Sequence, residues 1–268
     1  MSHKERLDVL VTSLGLFESR ESAKRAIMAG IILVNDEPID KAGTKVPVDA
    51  EIRIKGQVMP YVSRGGYKLE QAIKTFDLDL TGKIVIDVGA STGGFTDCAL
   101  QNGAVMSYAI DVGYNQLAWK LRQDERVLSM ERTNFRYMVP EDLKNGIPTF
   151  ACMDVSFISI KLLLPVLKEL LAENGEIVAL IKPQFEAGKV HVGKKGVIKD
   201  AKVHLDVIKD ITSFVRELGL VPLGLTHSPI KGGEGNIEFL IHIGRSGDGK
   251  ITDEIIEHVV KMAHNGLK

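Results

Sequence analysis

Asp87-Val88-Gly89-Ala90-Ser91-Thr92-Gly93-Gly94-Phe95-Thr96-Asp97 is the stretch that decides the fold. An apolar run, Ile84 to Val88, leads into it and helix-forming residues follow. Its glycines therefore fall at a strand-to-helix turn, where backbone can approach a ligand without a Cβ in the way. The spacing is G-x-x-x-G-G, not the G-x-G-x-x-G of dinucleotide-binding turns. It also lacks the Gly-Lys-Ser/Thr of a phosphate-cradling loop, which argues against NAD and ATP. Asp111 lies 22 residues after Gly89, at the end of the next apolar run, where a carboxylate can hold the two ribose hydroxyls of an adenosine. A tight turn plus a solvated Asp is the plainer alternative, but loop and acid occur together in the right frame. An adenosine site without a phosphate grip points to S-adenosylmethionine, whose methyl is already electrophilic and needs only to be oriented.

Outward from this turn, short apolar runs alternate with longer amphipathic ones, the pattern of a parallel sheet covered on both faces. Seven strands are expected, near Ile84 to Val88, Ser107 to Val112, Val127 to Met130, Phe150 to Asp154, Ile177 to Lys182, Val221 to His227 and Ile237 to Ile243. Helices are expected over Ile158 to Leu171 and Ala201 to Leu218. Only Lys231-Gly232-Gly233-Glu234-Gly235 and its flanks separate the last two strands, too short for a helical crossover, so they should form an antiparallel hairpin at the sheet edge. Upstream, Leu7, Leu10, Val11 and Leu14, then Ala23, Ile27 and Met28, sit at helical spacing, with Gly15 and Gly30 as stops and Ser19 as an N-cap. Ile31 to Asp36 reads as a strand and turn, and Lys41 to Ile54 as further extended chain. The expected organisation is an α+β domain over 1–58, a linker over 59–63 and an α/β domain over 64–268.

Composition narrows the function classes. The 268 residues are 44% hydrophobic and 26% charged, an ordinary globular balance, and 34 Lys plus Arg against 35 Asp plus Glu give no bulk attraction to nucleic acid or anionic membrane. Any RNA surface must be a local patch. Cys98 and Cys152 lie in apolar surroundings and read as buried thiols in a reducing cytoplasm. No stretch approaches the ~18 apolar residues of a membrane span, and Met1 to Asp8 carries charge where a signal peptide has its apolar core. The seven histidines are scattered without metal-ligand spacing, so no metal is expected.

Three further residues attract attention. Asp154 and Lys182 end the fourth and fifth expected strands and are expected to flank the switch point of a doubly wound sheet, where ligands sit. Glu238 is the only acid in the apolar run Ile237 to Ile243 and calls for a basic partner, Lys182 or Lys68. Taken singly, Lys182 is a solvated strand end and Glu238 an edge-strand charge that discourages aggregation.

Tyr61 to Leu69, the glycine loop, Asp111 to Leu117, Glu131 to Asn134, Asp154 to Ser159 and Lys182 to Glu186 together closely resemble the TlyA, or hemolysin A, family over essentially the whole chain. The resemblance implies a Rossmann-like, seven-stranded S-adenosylmethionine-dependent methyltransferase domain of FtsJ-like type that methylates ribosomal RNA at a ribose 2′-hydroxyl, with cytidine favoured. Arg6-Leu7-Asp8, Gly15-Leu16, Ser19-Arg20, Ala23, Ala29-Gly30 and Val34-Asn35 resemble a small S-four-type RNA-binding domain. The FtsJ-like Lys-Asp-Lys-Glu tetrad falls on Lys68, Asp154, Lys182 and Glu238. By this resemblance Lys182 is the base, made easier to deprotonate by partial desolvation and by Lys68 nearby. Lys68 then orients the acceptor, Glu238 holds the lysines and Asp154 positions donor and acceptor. Cofactor contacts are expected from Asp87, Gly89, Ala90, Ser91, Gly93, Gly94, Phe95, Asp111 and Val112, with a side chain at Gly93 expected to fill the methionine space.

Residues 1–58 hold nine Lys plus Arg and nine Asp plus Glu, so RNA contact is expected from a local stripe, Arg6, Arg20, Lys24 and Arg25. In the second domain Arg132 and Arg136 are expected to contact RNA. The stretch from Lys182 to Lys202, with six lysines, is either a solvated loop or one that closes over RNA. The expected partner is rRNA in ribosomal subunits, met by a monomeric cytoplasmic enzyme. A membrane-active hemolysin and a catalytically silent ribosome-binding module are the competing expectations.

Overall fold

The computed structural model describes residues 4–55, 59–188, 191–193 and 196–266. The chain divides into two compact units, Met1–Pro60 and Tyr61–Lys268. Gly56 to Val58, at the end of the expected first domain, lie outside the described residues. Tyr61, assigned to the linker from sequence, is buried in the core of the second unit.

In the first unit β1 (Lys4–Arg6) leads into α1 (Leu7–Ser13), followed by α2 (Arg20–Met28), β2 (Ile32–Val34), β3 (Glu37–Pro38), β4 (Lys45–Pro47) and β5 (Ile52–Ile54). Ser19 caps α2 by accepting from Ser22 N, and Gly30 follows its end at φ 68°. Asn35 and Asp36, at φ 53° and 66°, make the two-residue turn between β2 and β3, with the positive φ values that such a hairpin requires. Leu7, Leu10, Val11, Ala23 and Ile27 fill the core. Leu14 and Met28, expected beside them, are instead 54% and 71% exposed, because Leu14 follows the end of α1 and Met28 is the last residue of α2, past the buried face. Asp8 is fully buried and accepts from Arg6 Nε at 3.0 Å and Arg20 Nη2 at 2.9 Å. Arg6 and Arg20 therefore serve the fold of this unit through Asp8 while their side chains stay about half exposed.

The second unit holds α3 (Gly66–Phe76), β6 (Ile84–Val88), α4 (Gly94–Gln101), β7 (Met106–Ile110), α5 (Trp119–Arg122), β8 (Val127–Met130), β9 (Phe150–Met153), α6 (Leu164–Leu170), β10 (Glu176–Ile181), α7 (Pro183–Glu186), α8 (Ala201–Glu217), β11 (Val221–His227), β12 (Phe239–Gly244) and α9 (Asp253–Gly266). Among the described residues the sheet has seven strands in the order β11-β12-β10-β9-β6-β7-β8, parallel except for β12, which runs antiparallel to both neighbours. Strand alternation feeds two apolar layers. Ile177, Ala179 and Ile181 of β10 pack with α6, α8 and α9, whereas Val178 and Leu180 face the side of α3 and α4. Cys98 and Cys152 are buried free thiols.

Three differences from expectation have local causes. The helix expected over 158–171 is a 3-10 turn, Ile160–Leu162, followed by α6, because Pro165 lacks an N–H and is tolerated only in a helix's first turn. The chain reverses between β6 and β9, so the switch point lies beside Asp154 but Lys182 is one strand further on. Glu238 precedes β12 rather than lying in it, and β12 is an inner strand, so Glu238 is not an edge charge.

Burial raises the Asp8 pKa less than Arg6 and Arg20 lower it, leaving it at about 2 against a usual 3.8. That contribution is fully present above about pH 4 and is lost as pH falls towards about 2. We expect Asp8→Asn, followed by thermal unfolding, to cost on the order of 1 kcal/mol at neutral pH, since both arginines are half exposed. The penalty should shrink across that acid window. A constant penalty from pH 7 to pH 3 would contradict the ion-pair assignment.

Candidate active site

All four residues of the expected tetrad meet at the carboxyl edge of the sheet. Asp154 follows β9 and Lys182 follows β10, neighbouring parallel strands of which β10 runs two residues further, since Met153 at the end of β9 pairs with Ala179. Because β12 is antiparallel, its beginning lies at that same edge, and the pairing of Ile181 with Phe239 places Glu238 next to Lys182 along the ladder. Lys68 arrives from the first turn of α3, which packs against α4, β11 and β12. Lys68 Nζ lies 2.9 Å from Asp154 Oδ2 and 2.8 Å from Glu238 Oε2. Lys182 Nζ lies 2.5 Å from Asp154 Oδ1 and donates to Ser156 Oγ at 3.1 Å.

Two cations and two carboxylates thus neutralise one another where water is scarce. Burial would pull the Lys68 pKa down, but Asp154 and Glu238 outweigh it and raise it, so Lys68 stays an ammonium. Burial would likewise raise Asp154, and the two lysines overcome that and hold it ionised. The structure corrects the expectation of two lysines acting directly on each other, because the Asp154 carboxylate bridges them.

Beside this cluster lie two cavities of about 380 Å³ each. Gly89, Ser91, Asp154 and Ser156 line both. Eight of the nine expected cofactor residues line one or the other; Gly93 does not. A Cβ on Gly89, at φ 83°, would stand 2.5 Å from the Asp154 carbonyl oxygen, which explains the glycine. A Cβ on Gly93 would meet Leu121 at 2.3 Å and Leu117 at 2.8 Å. Packing and the positive φ of 95° thus already require glycine there. Gly94 lets α3 approach, its missing Cβ lying 2.8 Å from Gly66 N.

Both Asp111 oxygens are fixed by backbone donors, Oδ2 by Ser91 N at 2.8 Å and Oδ1 by Gly113 N at 2.7 Å. Val112 is 72% exposed at the rim of the second cavity. Asp87 Oδ2 accepts from Thr96 N and Oγ1 at 3.0 and 2.7 Å, while the buried Oδ1 has no hydrogen-bond partner among the described residues. Burial pushes the Asp87 pKa up to about 7 despite those hydrogen bonds.

Among other expected residues, Arg132 is exposed at φ 54° with its guanidinium 4.1 Å from the Tyr114 ring centre, and Arg136 lies over Tyr137. Arg25 is exposed and Lys24 pairs with Glu21 at 3.0 Å. Lys189, Lys194 and Lys195 of the lysine-rich loop lie outside the described residues. Buried Asn236 anchors the chain just beyond them, accepting from Ile198 N and donating to Gly196 O. Sequence reasoning assigned no role to Ser156, Arg64 and Lys231, which line the first cavity, nor to Asn134 and Phe157, which line the second. Phe157 is 91% exposed at φ 64°, and no residue type nearby announces that backbone.

The FtsJ-like methyltransferase model matches residues 61–245, and the S4 domain model matches residues 5–52. The chain belongs to the FtsJ-like methyltransferase family. A Bacillus subtilis protein with a provisional rRNA methyltransferase name is 58% identical over 271 residues, covering 100% of this chain and 96% of its own. The 16S/23S rRNA (cytidine-2′-O)-methyltransferase TlyA of Mycobacterium tuberculosis is 36% identical over 264 residues, 98% of each chain. A solved Streptococcus thermophilus structure, assigned to the hemolysins by name, is 50% identical with a TM-score of 0.77, covering 99% of this chain and 97% of its own. The second unit therefore has the seven-stranded fold of S-adenosylmethionine-dependent methyltransferases, and an FtsJ-like catalytic unit follows an S4 RNA-binding domain.

Removing one carboxylate from the cluster should strand a buried cation. Glu238→Gln is expected to cost on the order of 3 kcal/mol in urea unfolding of the catalytic unit. Adding Lys68→Met should recover much of that loss, because the stranded charge is removed as well. A double variant less stable than Glu238→Gln alone would show that Lys68 is not held mainly by this charge balance.

Proposed function

We propose that the protein transfers a methyl group from S-adenosylmethionine to the 2′-hydroxyl of a ribose in ribosomal RNA, at cytidine, acting in the cytoplasm as a monomer on ribosomal subunits. The observation that carries this reading is the convergence of Lys68, Asp154, Lys182 and Glu238 on one crevice beside the Gly89 turn. The printed activity of the Mycobacterium tuberculosis relative supports it. The residues also suit the cofactor. Asp111 offers fixed acceptors for ribose hydroxyls, and the second cavity supplies apolar Ile110, Phe135, Ile158 and Leu163 for a purine. The unpartnered Asp87 Oδ1 provides an acceptor in the first cavity for an ammonium.

When bound, the cofactor supplies a methyl carbon made electrophilic by its sulfonium. The chain's own residues must then orient an acceptor hydroxyl and remove its proton. Lys68, held as an ammonium by two carboxylates, is unsuited to be the base and suited to attract the anionic RNA backbone or the hydroxyl oxygen. Lys182 is left as the base, with Asp154 between the lysines fixing both and Glu238 anchoring Lys68 from behind. The S4 domain would bring the RNA, using exposed Arg25 and Lys24 more freely than the Asp8-bound arginines, with Arg132 and Arg136 contributing beside the cofactor cavity. Among the described residues no helix is long and apolar enough to cross a membrane, so no helical span favours a lytic reading.

Methyl transfer from labelled cofactor to purified subunits lacking the modification tests the reading. Lys182→Ala should abolish transfer while cofactor and subunit still bind. Lys182→Arg should not restore it, since a guanidinium keeps its proton at any usable pH. Full single-turnover transfer by Lys182→Arg would rule out Lys182 as the base.

Asp87 gives a pH signature. A cationic ligand favours the ionised carboxylate, so binding below about pH 7 should expel the Asp87 proton. Affinity should therefore rise as pH approaches 7 and level off above it, and Asp87→Asn should flatten the profile. Calorimetry at pH 6 in buffers of different ionisation heat should detect proton release; its absence would move the cofactor's charge away from Asp87.

A further inference from the structure

Lys182 has a second partner that the tetrad does not include. Ser156 Oγ accepts from Lys182 Nζ at 3.1 Å, while Asp154 Oδ1 lies 2.5 Å from the same nitrogen. Ser156 lines both cavities and so stands where they join. Its backbone is tied to the segment that carries Lys182. Glu186, at the end of α7, accepts from Ser159 Oγ at 2.5 Å and from Ile160 N at 2.9 Å, and Phe157 packs on Phe185 with ring centres 5.1 Å apart. The distance between Ser156 and Lys182 is thus set from both sides.

We propose that Ser156 is a positioning residue that aims the Lys182 amine at the acceptor hydroxyl. The inference rests on the ribose-methylation reading. An amine nitrogen is tetrahedral, and one of its four directions is its own Cε. As the free base, Lys182 keeps two hydrogens; Ser156 accepts one, and the Asp154 carboxylate in ion-pair contact at 2.5 Å attracts the other. The lone pair is then left a single remaining direction on a nitrogen whose residue lines the first cavity. In the reaction the hydroxyl oxygen's electron pair forms the bond to the methyl carbon, and the carbon–sulfur bond breaks with its electrons left on sulfur. The hydroxyl proton passes to the Lys182 lone pair, and the amine becomes an ammonium. Asp154 alone cannot specify the direction, because with one hydrogen anchored the lone pair can take either of the two remaining staggered positions about Cε–Nζ.

Ser156→Ala and Ser156→Thr in the full-length protein test this. Ser156→Ala should lower single-turnover methyl transfer to ribosomal subunits by about three- to tenfold, the worth of one hydrogen bond and of one added arrangement of the amine. Dissociation constants for S-adenosylmethionine and for the subunit should stay at wild-type values. Ser156→Thr, which keeps the oxygen, should retain most of the rate. A second readout needs neither cofactor nor RNA. In the ligand-free protein with 15N-labelled lysine, the Lys182 Nζ hydrogens should exchange with water several-fold faster in Ser156→Ala than in wild type, and at near the wild-type rate in Ser156→Thr. Unchanged exchange together with an unchanged transfer rate in Ser156→Ala would overturn the inference alone. Equal rate losses in the Ala and Thr variants would also overturn it, by tying the loss to side-chain volume. A wild-type protein that binds the cofactor yet methylates no RNA would overturn the underlying reading, whatever the exchange rates show.

Discussion

One carboxylate held between two lysines sets the terms for the rest of the catalytic unit. Asp154 is contacted by Lys68 on one oxygen and Lys182 on the other, and a buried charge of this kind is tolerable only if every partner is in place. That requirement accounts for several features of the fold at once. β9 and β10 must end at the same edge of the sheet, β12 must run backwards so that Glu238 stands beside the end of β10, and α3 must lie close enough for Lys68 to reach across. The glycines serve the same geometry. Gly66 admits the Tyr61 ring, Gly94 admits the start of α3, and Gly232 leaves room for the Glu238 carboxylate, which a Cβ there would approach to 2.0 Å.

The cluster divides labour by charge. Its formal charges sum to zero, so it can sit in a crevice without drawing counter-ions, yet its two cations are not equivalent. Lys68 touches two carboxylates and keeps its proton. Lys182 shares one carboxylate and a serine. An arrangement that makes one lysine permanently cationic and leaves the other with a single carboxylate partner suits an acceptor that carries both a phosphate and a weakly acidic hydroxyl.

Much of this was legible from the residues. The seven apolar runs, the antiparallel last pair and the Gly89-to-Asp111 frame depend on local periodicity and turn chemistry, which a sequence displays directly. Lys68 was not legible in that way. It looks like a solvated helix residue, and only resemblance to a family marked it, because its burial depends on α3 packing against strands more than 140 residues later in the chain. The packing constraint on Gly93 was hidden for a related reason, since its neighbours Leu117 and Leu121 lie more than 20 residues further along the chain. Arg6 and Arg20 looked like free cations because the burial of Asp8 is a tertiary fact. The break before Pro165 was present in the sequence, and apolar periodicity outweighed it in the expected helix. Ser156 and Phe157 had no local signature at all.

The central claim is that these four charged residues serve ribose chemistry and not base chemistry, and it is tested most directly by where the methyl group goes. After transfer of labelled methyl to ribosomal RNA, alkaline hydrolysis cleaves at every unmodified ribose and stops at a methylated 2′-oxygen. The account predicts that the label is recovered in alkali-resistant dinucleotides and that digestion to nucleosides releases it as 2′-O-methylcytidine. Label recovered in alkali-released mononucleotides carrying a methylated base would contradict it.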